Sequence, residues 1–235
     1  MYFEFLRNKI GNKVRYRAMK TAIPEKVNSQ RIYTVDRVEP KRNPLYAVTK
    51  RLFDIVLSLI AGVVLIIPMI IIGVCIRVDS EGPALFKQER LGKNGKPFTM
   101  YKFRSMRIDA EAAGPQWASK NDDRVTRVGR VIRCTRLDEL PQLWNIFKGD
   151  MSFVGPRPER AYFYDEFETY IHGFSNRMAV KPGLTGLAQV NGGYDLQPEE
   201  KVVYDMQYIE NQSFWLDMKC IFKTLKLVFT HKGAR

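Results

Sequence analysis

The sequence predicts an α+β fold, mainly helical, and three observations predict it. Residues 55–76 form an apolar run of 22 residues without a charge. Two short stretches on either side of Gly92–Gly95 carry strand-like alternation. Apolar residues recur at helical spacing over 140–147 and again over 214–229. At 235 residues the chain has room for one domain with a real core, plus appendages. The divisions read as a basic arm at 1–49, an apolar helix at 50–78 and a globular part at 79–235.

Charge narrows the function classes. The formal net charge is +13, which calls for an anionic partner: a membrane surface, a nucleic acid or a phosphorylated substrate. Residues 1–51 hold 13 Lys+Arg against 4 Asp+Glu, whereas 52–76 hold only Asp54. The arm, with Pro24, Pro40 and Pro44, reads as a solvated, partly disordered segment or as one lying on anionic lipid. Cys75, Cys134 and Cys220 show no paired spacing and read as free thiols in a reducing compartment. With only His172 and His231 in the chain, a zinc centre or a Ser-His-Asp triad is a poor fit.

The apolar run would measure roughly 33 Å as a straight helix, enough to span a bilayer. Pro68 removes one backbone hydrogen bond near its middle and kinks it. Lys50 and Arg51 precede the run, and Arg77, Lys87 and Arg90 come after it. Positive flanks belong on the cytoplasmic side, so the segment is expected to dip in and return, with Pro68 at the bend. A single kinked span is the alternative.

The globular part begins with a turn at Ser80–Pro83. Two strands, 84–91 and 97–106, come next around a hairpin-like connection. Lys102 and Arg104 fall on one face with Phe103 opposite, as a phosphate-facing cation pair or an ordinary solvated face. Residues 109–123 read as a polar loop over a site. Arginines then recur at every third position from Arg124 to Arg136. That spacing drifts around a helix, so the five cannot share a face, and Arg133 is expected nearest to the acid pair Asp138-Glu139.

Asp138-Glu139 opens a short amphipathic segment with Leu140, Leu143, Trp144 and Phe147 at helical spacing. Pro141 fits a first helical turn. A helix start favours carboxylates, and equally a bound phosphate. An Asp there is commonly only a cap, but Arg133, Arg136 and Arg157 surround this pair. Carboxylates among arginines point to phosphate chemistry assisted by a divalent metal. Pro156 and Pro158 fix the backbone around Arg157, whose guanidinium can then meet a phosphate with little entropy lost. Residues 160–174 form an aromatic, acidic helix, and 181–186 a tight turn. Residues 201–229 make one or two helices. Their stripe of Phe214, Met218, Ile221, Phe222, Leu225 and Phe229 either packs in the core or lies in a membrane interface.

Motifs in order along residues 45–230 now carry a resemblance. Lys50-Arg-Leu-Phe-Asp54, the apolar run with its proline, Gln88-Glu-Arg90, Lys102-Phe-Arg-Ser-Met106, Leu137-Asp-Glu-Leu-Pro-Gln142, Gly155-Pro-Arg-Pro158 and Lys181-Pro-Gly-Leu-Thr-Gly186 resemble the bacterial sugar transferase family, the monotopic phosphoglycosyl transferases. The resemblance implies transfer of a hexose 1-phosphate from a UDP-sugar to undecaprenyl phosphate with release of UMP and a requirement for Mg²⁺. It implies Asp138 as the nucleophile of a phosphosugar-enzyme intermediate and Glu139 as its dyad partner, both near the metal. Arg133, Pro156, Arg157 and Pro158 match phosphate- and nucleotide-binding positions. It also implies a re-entrant membrane helix, its bend at Ser58 and Pro68, and a cytoplasmic catalytic domain with interfacial helices on the inner membrane of a bacterium. Arg136 stands where the family commonly has Ser or Thr, which touches substrate preference. The partners implied are a UDP-sugar (glucose or galactose), undecaprenyl phosphate and the membrane, not nucleic acid, with a homodimer left open. The pathway would be the first membrane step of capsule, exopolysaccharide or O-antigen synthesis. The rival reading is a membrane-anchored basic module binding nucleic acid or anionic lipid. It accounts for the charge but not for Asp138-Glu139 beside two phosphate-type loops.

Overall fold

The computed structural model describes residues 16–19, 32–41, 43–112, 114 and 122–230. Most of the arm, the greater part of the 113–121 loop, and His231 lie outside them. The first helix, α1, runs from Pro44 to Val64. Asn43 caps it, its side chain accepting from Tyr46 N, with proline in the first turn. The second, α2, spans Ile66–Asp79 and leaves α1 at an angle of 62°. The break falls at Leu65, not at Pro68. Pro68 has no N–H for the Val64 carbonyl and its ring crowds that oxygen, so the ladder fails upstream and the proline ends in the first turn of α2. Ser58 is not at the bend either. It is buried in the straight part of α1, donating to the Ile55 carbonyl at 3.0 Å. Among the described residues no single helix is long and apolar enough to cross a membrane; α1 and α2 reach that threshold only together.

Both ends of this bent pair dock on the same body. At the near end Arg51 donates to the carbonyls of Ile146 and Phe147 at 2.8 and 2.7 Å. Buried Asp54 accepts from Ser152 Oγ and Phe153 N at 3.1 and 3.0 Å. At the far end Asp79 accepts from Val128 N at 3.0 Å, and Ile76 packs with Phe103 and Ile132. Between them Leu59, Ile60, Val63, Val64, Ile67, Ile70 and Ile71 stay exposed.

The body is assembled from small pieces. Strands β3 (Leu85–Leu91) and β4 (Pro97–Phe103) form the expected hairpin, closed by Asn94 and Gly95 at positive φ. Helix α3 (Arg127–Cys134) is capped by Thr126. The chain then gives a 3₁₀ turn at Leu137–Glu139, α4 (Gln142–Lys148) and β5 (Ser152–Val154). After α5 (Ala161–Glu168) and β6 (Ile171–His172) come β7 (Gly183–Thr185), α6 (Leu187–Asn191), α7 (Pro198–Glu210) and α8 (Phe214–Thr230). β5 and β7 pair in parallel. The main core joins Val154, Phe163, Phe167, Ile171, Val202 and Met206.

Two expectations change here. β1 (Tyr16–Met19) pairs antiparallel with β2 (Ile32–Val35), which pairs in parallel with β6. Val35 is buried in the main core, so residues 32–35 belong to the globular body rather than to a solvated arm. On α8 the apolar stripe divides: Phe214, Phe222 and Leu225 are exposed, as is neighbouring Trp215 at 81%, whereas Ile221 packs against the main core with Leu216. The inward face also carries the buried Asp217 and Cys220. Asp217 binds Lys50 Nζ at 2.7 Å, Tyr46 OH at 2.9 Å and Tyr208 OH at 2.8 Å. That polar cluster ties α8 to the base of α1.

Gly129 shows how tightly α3 lies on the tail of β4: a Cβ there would collide with the Ser105 carbonyl oxygen. In a free helix Gly→Ala stabilises by about 1 kcal/mol. Gly129→Ala is expected to do the reverse and lower the melting temperature; a rise would show that α3 can shift freely.

Candidate active site

A cavity of about 710 Å³ opens between the hairpin, α3, the 3₁₀ turn and α6. Arg136 enters the turn in the left-handed region, at φ 59°, an unusual backbone for a side chain of its size. The turn presents Asp138 and Glu139 to the cavity. It precedes α4 by a full step, with Pro141 at the helix cap position. The acid pair therefore does not sit on the free N–H groups of α4, and its charge is balanced by side chains.

Glu139 is buried and carries most of that balance. Its Oε1 accepts from Arg157 Nη2 at 2.5 Å and lies 3.6 Å from Lys102 Nζ. Burial pushes this carboxyl up, but the Arg157 and Lys102 charges outweigh it and hold it at about 2. Asp138 is half-buried beside it. Burial first, and then the Glu139 charge, push Asp138 up to about 6 against the pull of Lys102, Arg133 and Arg157. Two adjacent carboxyls thus receive opposite environments, the usual sign of divided roles.

The other candidate residues separate. Lys102 lines the cavity on β4. Arg104 is not a free phosphate ligand. β4 ends at Phe103, and the buried Arg104 guanidinium folds back onto four carbonyls, reaching Ser80 O and Pro83 O at 2.8 Å and also meeting Glu81 O and Gly82 O. Its role is to pin the turn between α2 and β3. Of the arginine run, Arg124, Arg133 and Arg136 reach the cavity wall, and of these only Arg133 lies on α3; Arg124 precedes the helix and Arg136 follows it. Arg124 is tied to Asp122 and to the Ala110 carbonyl. Pro156 and Pro158 flank Arg157, and each carbonyl is held: Gly183 N donates to Pro156 O at 2.9 Å, Arg90 to Pro158 O at 3.2 Å.

Residues without a local signal complete the wall. Arg90 pairs with Glu159 at 3.0 Å. Arg177, fully buried, pairs with Asp205 at 2.6 Å and lies over the Phe174 ring at 4.9 Å. Gln189 lines the same cavity from α6. Only the Gln88-Glu-Arg90 motif hinted at any of these.

Asp138 and Glu139 offer hard oxygen donors to one space, which suits Mg²⁺: it commonly takes one or two carboxylates and completes its shell with substrate phosphates and water. Among the described residues no group of three or more His, Cys, Asp or Glu side chains gathers as a metal cage.

The bacterial sugar transferase family matches residues 45–231. The chain belongs to that family. It is 45% identical over 196 residues to the UDP-N-acetylgalactosamine-undecaprenyl-phosphate N-acetylgalactosaminephosphotransferase of Aeromonas hydrophila, covering 82% of this chain and 46% of that protein. It is 41% identical over 197 residues to the UDP-glucose:undecaprenyl-phosphate glucose-1-phosphate transferase of Klebsiella pneumoniae, covering 82% and 42%. With the undecaprenyl-phosphate galactose phosphotransferase of Salmonella typhimurium it shares 41% over 201 residues, covering 79% and 41%. The chain thus spans less than half of each of these three relatives.

The raised Asp138 carboxyl has a thermodynamic consequence. A folded-state value above the unfolded 3.8 favours the protonated form, so stability falls as pH rises from about 4 through about 6. Without divalent cations, Asp138→Asn should be more stable than the parent at pH 7.5 by on the order of 1 kcal/mol, the gap closing near pH 4. Melting curves at the two pH values test this, and an equal or less stable variant at pH 7.5 contradicts it.

Proposed function

We propose that the chain is a phosphoglycosyl transferase that moves a sugar 1-phosphate from a UDP-sugar to undecaprenyl phosphate and releases UMP. One observation carries the reading: a half-buried carboxyl, Asp138, faces a large cavity beside Lys102, Arg133 and Arg157, with a second, charge-compensated carboxyl next to it. An Asp138 oxygen attacks the β-phosphorus of the donor. An oxygen–phosphorus bond forms to the carboxylate, the bond to the α-phosphate oxygen breaks, and UMP departs with that electron pair. A phosphate oxygen of the acceptor then attacks the same phosphorus and displaces Asp138. Lys102, Arg133 and Arg157 offset the charge of the transferring group, and Glu139 orients the cations. Mg²⁺, held by Asp138 and Glu139, would neutralise the pyrophosphate.

The same reading places the bent helix pair in the cytoplasmic leaflet. Residues 55–64 and 66–76 each give a leg of roughly 15 Å, half of a bilayer core about 30 Å thick. Legs of that length, joined at Leu65 and returning to one domain, support a re-entrant element on the cytoplasmic face of the bacterial inner membrane. Exposed Trp144, Trp215 and Phe222 suit the headgroup level. Such a step would open capsule, exopolysaccharide or O-antigen synthesis.

Purified protein with Mg²⁺ and undecaprenyl phosphate should release UMP from at least one member of a UDP-sugar panel. Asp138→Asn should lower kcat by at least about 10³-fold with an unchanged circular dichroism spectrum. Residual turnover within tenfold of the parent would rule out the covalent role. For topology, a single cysteine at Thr49→Cys, ahead of the apolar leg, and native Cys134, exposed on α3, should both resist an impermeant maleimide in intact cells. Labelling of only one from outside would establish a span instead.

A further inference from the structure

The register of the hairpin gives the cavity two chemically different ends. Phe86 stands opposite Lys102 across the strands, and cross-strand partners share a face. Gln88 and Arg90 continue along that face of β3, two residues apart at each step. Arg90 is held by Glu159 and the Pro158 carbonyl, so it marks the end next to the Pro-Arg-Pro loop. Phe86 lies about 13 Å from it along the strand. Glu139, held between Lys102 at 3.6 Å and Arg157 at 2.5 Å, therefore stands between the two ends, and Lys102 belongs to the Phe86 end.

That end runs straight into α2. The helix stops at Asp79, the Ser80–Pro83 turn is pinned by Arg104, and a Cβ on Gly73 would touch the Ala84 Cβ at 3.8 Å. Ile108 reaches across the same turn, its Cδ1 3.1 Å from where a Gly82 Cβ would be. Pro83, Phe86 and Ile108 all line the cavity, and all are exposed: Phe86 by 36%, Ile108 by 74%. An apolar rim outside a lysine, at the foot of an apolar helix, complements a ligand with an anionic head and an apolar chain.

We propose that Phe86, with Pro83 and Ile108, is the port for the lipid acceptor. The acceptor's phosphate reaches Lys102 while its first isoprene units lie on the Phe86 ring. This rests on the transferase reading above and adds to it the path of the second substrate. The donor, by contrast, extends from the acid pair toward Arg90.

The two half-reactions separate the claims. In the full reaction Phe86→Ser should raise the KM for undecaprenyl phosphate by about tenfold, with Phe86→Leu restoring it to near the parent value. Exchange of labelled UMP into the UDP-sugar, run without acceptor, should stay within twofold in both variants. An unchanged acceptor KM overturns the port. A parallel loss of exchange also overturns it, because Phe86 would then be serving the donor, for instance by stacking on the hexose. Absence of exchange in the parent protein defeats the covalent intermediate instead and leaves the acceptor KM as the test of the port. A readout independent of turnover is Phe86→Trp, whose emission should shift to the blue on titrating undecaprenyl phosphate into detergent micelles. No shift counts against the port.

Discussion

Two neighbouring carboxyls in a half-dry cavity cannot both ionise freely, and the structure resolves that conflict with one buried ion cluster. Glu139 takes Arg157 at 2.5 Å and Lys102 at 3.6 Å and stays charged. Asp138 is left with the cost of burial and the repulsion of its neighbour. Among the described residues Asp138 has no ion pair as close as those of Glu139, and a carboxylate so placed retains reactivity that a salt-bridged one loses. The arrangement depends on three separate elements: the 3₁₀ turn, the end of β4, and the loop between β5 and α5 that carries Arg157. Each is fixed by main-chain contacts, so the cluster inherits its geometry from the backbone.

The helix pair depends on a parallel device. At one end Asp54, Arg51 and the Lys50–Asp217 pair bind α1 to β5, α4 and α8. At the other, Asp79 and Arg104 hold the exit of α2 against α3 and β3. Removing one member of such a buried polar group leaves its partners unsatisfied, which costs more than the bond itself contributed. These side chains thus set the angle at which the apolar legs leave the domain.

Much of this was legible in the sequence wherever a signal was local. The hairpin shows in strand alternation around Gly92–Gly95, and the acid pair in its arginine surroundings. What escaped was nonlocal. Arg104 lay on a strand pattern that alternation assigned to the Lys102 face, but β4 ended one residue earlier and carbonyls 20 or more residues upstream captured the guanidinium. Val35 closes the strand-forming run Ile32-Tyr-Thr-Val35, but that run is only four residues long and set in a basic arm, and its partner β6 lies far along the chain. On α8 the stripe was found, but periodicity cannot tell a core from another apolar surface. The inward face mixes Leu216, Cys220 and Ile221 with the buried Asp217, which blurs its apolar signature.

The bend illustrates why position matters more than residue type. Proline breaks a helix through the carbonyl four residues before it, so Pro68 moves the break to Leu65 and leaves two apolar legs of nearly equal length. Both legs are anchored on one body, and α2 delivers the chain to the Ser80–Pro83 turn that leads into β3. A break several residues later would lengthen the first leg at the expense of the second and strain the Asp79–Val128 contact that holds the end of α2 on α3. The site of the break thus decides how the apolar run is shared between the legs, and it is set by where a single N–H is missing.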